Sequence, residues 1–154
     1  IFAQTYENWE ICVADGSPRG KSCERVLRRY AERDDRVRYL VMGENKGISG
    51  NTNAAMDMAS GDFIVLADHD DTLTPNALYE IAKAINEDPC NDVIYSDEDK
   101  LDMDGGALFE PHFKPDFNPD LLTSTNYICH LFAVNRDLVE EVGQFDQKFD
   151  GAQD

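Results

Sequence analysis

The sequence predicts an α/β protein with a Rossmann-like, mostly parallel sheet flanked by helices. Three observations predict it. Short apolar runs end in clusters of turn formers, helical periodicity fills the intervals between them, and acidic residues collect at the carboxyl ends of two of the runs.

After Trp9, Glu10 to Ala14 reads as a buried strand closed by the turn formers Asp15-Gly16-Ser17-Pro18. A helix carries Val26, Leu27, Tyr30 and Ala31 on its apolar positions, a strand runs from Val37 to Met42, and Gly43 to Gly47 is a loop. Ile48 to Ser60 is expected to be helical and to close at Gly61. Phe63 to Ala67 is a continuous apolar run, as in a strand covered on both faces, and it delivers Asp68-His69-Asp70-Asp71 at its end. Thr74 and Pro75 look like the N-cap and first position of a third helix. Beyond the strand Asp92 to Tyr95 the pattern changes to a hairpin, Ser96 to Met103 and Ala107 to Phe113, turning at Asp104-Gly105-Gly106. Pro111, Pro115 and Pro119 interrupt regular structure from there, and Tyr127 to Val134 resumes as a strand before a helix over Arg136 to Val142.

A chain of 154 residues is the size of one domain. It carries 14 Lys and Arg against 31 Asp and Glu, a net charge of -17, which repels a phosphate backbone. The cations Arg28 and Arg29 share a helical face with Glu24 and Glu32 and read as a solvated surface, so nucleic acid is excluded as a partner. No apolar run reaches the roughly 20 residues of a membrane span. Cys12, Cys23, Cys90 and Cys129 form no C-x-x-C pair, which argues against a zinc knuckle or a disulfide framework and for a cytoplasmic setting.

In open α/β sheets ligands bind beyond the carboxyl ends of the strands, where Asp15 and Asp68 to Asp71 fall. Three carboxylates at one strand end repel one another, and a divalent cation relieves the repulsion. Oxygen donors without thiolates select Mg2+ or Mn2+ over zinc. A cation there bridges two phosphates and neutralises a diphosphate leaving group.

At this point a resemblance enters. Gln4 to Glu10, Ala14-Asp15-Gly16-Ser17, Asn45-Lys46-Gly47, Asn53 and Gly61 to Asp71 stand in the order of the family 2 glycosyltransferase signature, and Gly151-Ala152-Gln153-Asp154 resembles that family's later acidic motif. Ser96 to Lys100 and Phe113-Lys114-Pro115-Asp116 are similar to a bacterial branch that builds surface polysaccharides and includes rhamnosyl transferases. The resemblance implies a GT-A fold, an inverting reaction, a nucleotide-sugar donor, a glycan or lipid-linked acceptor, and Mn2+ or Mg2+. By position it implies that Asp15, Lys46, Asp68 and His69 bind the nucleotide sugar, that Asp68 and Asp70 hold the metal, and that Asp154 is the catalytic base. It also implies that residues 1–154 are part of one catalytic domain, with the first strand upstream of Ile1 and further chain beyond Asp154. A site at the inner face of the membrane, with peripheral association through those further regions, is part of the same analogy.

Other constellations are weighed beside this. Ser96 to Asp104 reads as a solvated hairpin, or, more sharply, as the wall of a sugar or acceptor pocket to which Asp97 and Glu98 contribute. Phe109, Phe113, Phe117 and Tyr127 read as packing around a satellite core rather than as sugar-stacking rings, and His112 and His130 carry no assignment. A calcium loop starting at Asp68 would need glycine and glutamate where Leu73 and Tyr79 stand. The rival enzyme class is a magnesium-dependent aspartyl-nucleophile phosphatase, since Asp68 to Thr72 also spells D-x-D-x-T. Against it, two strand-helix units precede the motif and Lys100 falls in the hairpin. A catalytically dead fragment that still binds nucleotide or glycan is the non-enzymatic alternative.

Overall fold

The computed structural model describes residues 1–18, 20–102 and 106–151. They form an α/β structure whose chain divides into two compact units, Tyr6–Ile64 with Arg136–Asp154, and Ile1–Thr5 with Val65–Asn135.

In the first of these, strands β1 (Ile11–Asp15) and β2 (Val37–Val41) form a parallel pair in register from Ile11 opposite Val37 to Asp15 opposite Val41. Parallel neighbours require a crossover. Helix α1 (Glu24–Ala31) supplies it, with no fully buried residue and with Glu24 and Arg28 paired across one turn on its solvated face. At the start of β2, Arg36 binds Asp34 at 2.7 Å and lies 3.7 Å above the centre of the Trp9 ring, a cation–π contact that anchors the entry to β1.

Helix α2 (Gly47–Met56) begins at Gly47, where φ is +77° and a Cβ would lie 2.2 Å from an Asp150 carboxylate oxygen, so both backbone and space demand glycine. Asp150 accepts a hydrogen bond from the Ser49 amide at 3.0 Å and so caps the helix from a distant part of the chain. The Asn53 side chain donates to the Phe145 carbonyl at 2.8 Å and accepts from its amide at 3.1 Å, tying α2 to the segment after α5 (Arg136–Val142). That segment includes a 3-10 turn at Gln147–Phe149 that periodicity does not indicate. Contrary to the sequence expectation, α2 does not run on to a Gly61 cap. It stops at Asp57, and Glu10 collects the Ser60 hydroxyl at 2.9 Å and the Gly61 amide at 3.0 Å.

The second unit takes in, from Val65 on, a three-stranded sheet in the order Phe63–Leu66 (β3), Phe132–Asn135 (β7) and Val93–Tyr95 (β4), and a two-stranded hairpin of Glu98–Leu101 (β5) and Leu108–His112 (β6). Strand β3 is Phe63–Leu66, as the apolar run predicts. Strand β4 (Val93–Tyr95) pairs antiparallel with β7 (Phe132–Asn135), and β5 (Glu98–Leu101) pairs antiparallel with β6 (Leu108–His112) across a bulge near Glu98. The expected turn at Asp104-Gly105-Gly106 reaches outside the described residues. A short helix, α4 (Pro119–Leu122), capped by the Asn118 side chain, occupies the proline-rich stretch. Leu78, Tyr127, Leu131, Ala133 and Val134 are buried here.

Two expectations are corrected in this unit. Helix α3 is Ala77–Glu87, so Thr74 and Pro75 precede it rather than cap it. The cap comes from Gln4, whose buried amide accepts from the Leu78 amide at 2.9 Å and donates to the Thr74 carbonyl at 2.7 Å. The strand expected over Tyr127 to Val134 exists only from Phe132 on. Asn126 accepts from the amides of Ile128 at 3.2 Å and Cys129 at 3.3 Å, an Asx turn that diverts the backbone from a ladder. Cys129 adopts φ +38°, in the left-handed region and away from the extended backbone of a regular strand. None of the four cysteines is in a disulfide, and no helix among the described residues is long and apolar enough to cross a membrane.

Candidate active site

Asp15 ends β1 and is 7% exposed. Its carboxylate accepts from the Ser17 amide at 3.0 Å, the Ser22 hydroxyl at 2.6 Å and the Cys23 amide at 2.8 Å. Hydrogen bonds from the Ser17 and Ser22 hydroxyls, with those backbone amides, outweigh burial and hold its pKa down at about 2. These donors use most of the acceptor capacity of a carboxylate and leave little of it for a nucleotide base. What Asp15 does within this unit is fold the loop into α1.

That role has a pH signature. A carboxylate with a depressed folded pKa contributes stability above its ordinary value of 3.8, and the contribution is lost as pH falls through about 2. Asp15→Asn is expected to lower unfolding free energy by about 2 kcal/mol at neutral pH. Urea denaturation at stepped pH checks this: the wild type loses its advantage over Asp15→Asn between about pH 4 and pH 2.

Lys46 sits at the N-cap of α2 in the same unit, on the wall of an open cleft of about 380 Å³ that Leu40 to Glu44 also line. Its amide donates to the Asn51 side chain at 3.1 Å.

In the other unit, the Asp71 amide approaches the Asp68 carbonyl at 3.4 Å, closing a turn with His69 and Asp70 at its centre. First and fourth residues of such a turn come together, while the middle two project outward. The side chains obey this rule. His69 is 98% exposed and lies 3.9 Å from Asp70, whereas ligand atoms of Asp68, Asp71 and His130 lie within 4.8 Å of one another. An extended D-x-D segment would instead have put Asp68 and Asp70 on one face. The grouping thus contains Asp68 but neither His69 nor Asp70, and it adds Asp71 and His130.

His130 precedes β7 and turns Nε2 toward Asp68, 3.4 Å away. Its Nδ1 is buried and has no hydrogen-bond partner among the described residues, so no structural hydrogen bond commits the ring to one tautomer. Two carboxylates and an imidazole with no thiolate fit Mn2+ well and Mg2+ acceptably. No sequence signal joins His130 to Asp68. The Asp71 contribution is readable from spacing once the cluster is taken as a turn instead of a strand end.

The hairpin acids are engaged within the unit. Asp97 accepts from the Lys114 amide at 2.8 Å, and Glu98 meets the His112 ring at 3.0 Å and the Lys114 ammonium at 3.3 Å. Burial pushes Glu98 upward, but His112 and Lys114 outweigh it and hold the carboxyl below its usual range. Of the aromatic rings read as packing, Tyr127 packs edge-to-face on Tyr95 at 5.9 Å, while Phe109, Phe113 and Phe117 are exposed. Asp154 lies outside the described residues.

The family model for glycosyl transferase family 2 matches residues 1–143, and the chain belongs to that family and has its GT-A fold. Among its relatives, protein y4gI of Sinorhizobium fredii is 46% identical over the whole chain, which covers 17% of that protein. O-antigen biosynthesis protein RfbC of Myxococcus xanthus is 37% identical over 99% of the chain and 12% of its own length. The UDP-Glc:alpha-D-GlcNAc-diphosphoundecaprenol beta-1,3-glucosyltransferase WfgD of Escherichia coli is 36% identical over 51% of the chain and 30% of its own. The chain therefore spans less than a fifth of the first two relatives.

Proposed function

We propose that the whole protein is a metal-dependent, inverting glycosyltransferase that moves a sugar from a nucleotide-diphosphate donor to the hydroxyl of a glycan or lipid-linked acceptor. The observation that carries this reading is the grouping of Asp68, Asp71 and His130 at the end of β3. In this reading those three hold the cation, Asp68 also faces the donor, and residues 1–154 serve as part of one catalytic domain. Asp15 and Lys46 keep the nucleotide end that the family motif gives them, Asp15 through the loop it folds. Names of relatives such as WfgD, with a UDP-sugar donor and a diphosphoundecaprenol acceptor, support the donor and acceptor classes.

When bound, a divalent cation supplies Lewis-acid stabilisation to a diphosphate leaving group, so no carboxylic acid is needed to protonate it. The remaining work belongs to the chain. Asp154 takes the proton from the acceptor hydroxyl as its oxygen attacks the anomeric carbon, and the bond from that carbon to the donor phosphate oxygen breaks on the opposite face.

Turnover separates this from the phosphatase reading. The protein is incubated with Mn2+ and either a panel of nucleotide sugars or an aryl phosphate, and nucleotide and phosphate release are monitored separately. Nucleoside diphosphate release that rises with acceptor is expected. Rapid Asp68-dependent release of phosphate from the ester, with no sugar-nucleotide turnover, would establish the phosphatase.

A further inference from the structure

Lys114 is a deeply enclosed cation whose partner set is complete. Its side chain is 1% exposed, yet it is flanked by the exposed Phe113 and lies in a proline-broken stretch with no regular structure. An ammonium has three N–H donors and is costly to bury with any of them unmet. Here all three are met: by the Ile128 carbonyl at 2.6 Å, by the His130 carbonyl in a shorter contact, and by Glu98 at 3.3 Å.

The target of those bonds is informative. Residues 128 to 131 belong to no strand or helix, and the β4–β7 ladder reaches them at their last residue, where the Leu131 carbonyl accepts from the Ser96 amide at 3.1 Å. Lys114 takes two of its carbonyls, and the Ser96 hydroxyl accepts from the Leu131 amide at 3.4 Å. Lys114 is in turn held at both ends, its amide by Asp97 and its ammonium by Glu98, which His112 also braces. The side chain of His130 leaves this pinned backbone toward Asp68 and Asp71.

We infer that Lys114 is a positioning residue for the cation site: by clamping the carbonyls of Ile128 and His130 it presents the His130 imidazole to the Asp68–Asp71 turn, with Asp97 and Glu98 as its supports. The inference rests on the cation reading above. It also gives the hairpin acids a use, as the brace behind a ligand rather than the wall of a pocket. Groups that orient a metal ligand typically govern about 10- to 100-fold in metal affinity, so the clamp is measurable without any turnover.

The test is titration of the protein with Mn2+ alone, reading the free aquo ion by electron paramagnetic resonance, with circular dichroism to confirm folding. Lys114→Met, which keeps the aliphatic bulk and removes the donors, is expected to raise the Mn2+ Kd about tenfold or more. The decisive comparison is made in a His130→Ala background, where the same change should have no further effect, because the lysine acts only through that histidine. A general loss of stability would weaken both backgrounds alike. Should Lys114→Met fail to fold, Glu98→Gln keeps the lysine and loosens its hold, and a smaller rise in Kd that again vanishes with His130→Ala supports the clamp. Mn2+ binding that needs His130 but is unchanged in the folded Lys114 or Glu98 variant, or a loss that persists without His130, overturns the role of Lys114 alone. If the wild-type protein leaves Mn2+ free, or His130→Ala binds it as well as wild type, the cation reading fails and the clamp with it.

Discussion

Asp68→Asn is expected to lower kcat/KM for sugar transfer by about 100-fold or more, because a cation at a diphosphate leaving group is worth several kcal/mol of transition-state stabilisation and each 1.36 kcal/mol is tenfold. The pattern across the turn is more diagnostic than that loss. Asp71→Asn and His130→Ala should raise the Mn2+ concentration needed for half-maximal rate, since both side chains converge with Asp68 within 4.8 Å. Asp70→Asn should change it little, since Asp70 is 77% exposed on the outward part of the turn. Rate measured against Mn2+ concentration for the four variants decides the matter. A large loss at Asp70 with none at Asp71 would mean that the segment straightens when donor binds and that the alternate-residue pair operates.

Asp154→Asn carries the other large effect. A hydroxyl is a poor nucleophile at neutral pH, and removing the group that takes its proton is expected to lower turnover by about 100-fold or more. Donor affinity should stay near that of wild type, because in the proposed mechanism the residue serves the acceptor. Single-turnover kinetics with calorimetric donor binding separate the two quantities. A variant that transfers at close to the parent rate would remove Asp154 from the mechanism.

The strands and most helices are readable in the sequence because their signals are local. Phe63 to Leu66 is an uninterrupted apolar run, and Arg136 to Val142 is a helix with the bounds that periodicity gives. What escapes such reading is set by partners far along the chain. The start of α3 depends on Gln4 and that of α2 on Asp150, and no local pattern at Thr74 or Gly47 names either. Tyr127 to Leu131 is apolar enough for a strand, but Asn126 and Lys114 give its amides and carbonyls other partners. The same division runs through the site. The acidic cluster at the end of β3 is legible as a charge anomaly, and a two-residue alternation suggests Asp68 with Asp70. The turn that brings in Asp71 is local but competes with that alternation, whereas the fold that brings in His130 is a tertiary fact.

The proposed reaction is transfer with inversion, and the configuration of the product tests it most directly. The protein is incubated with Mn2+, a nucleotide sugar that it turns over and its acceptor, and the anomeric proton coupling of the isolated product is measured by nuclear magnetic resonance. In-line attack by an acceptor oxygen predicts an anomeric configuration opposite to that of the donor. A product that retains the donor configuration would contradict the account.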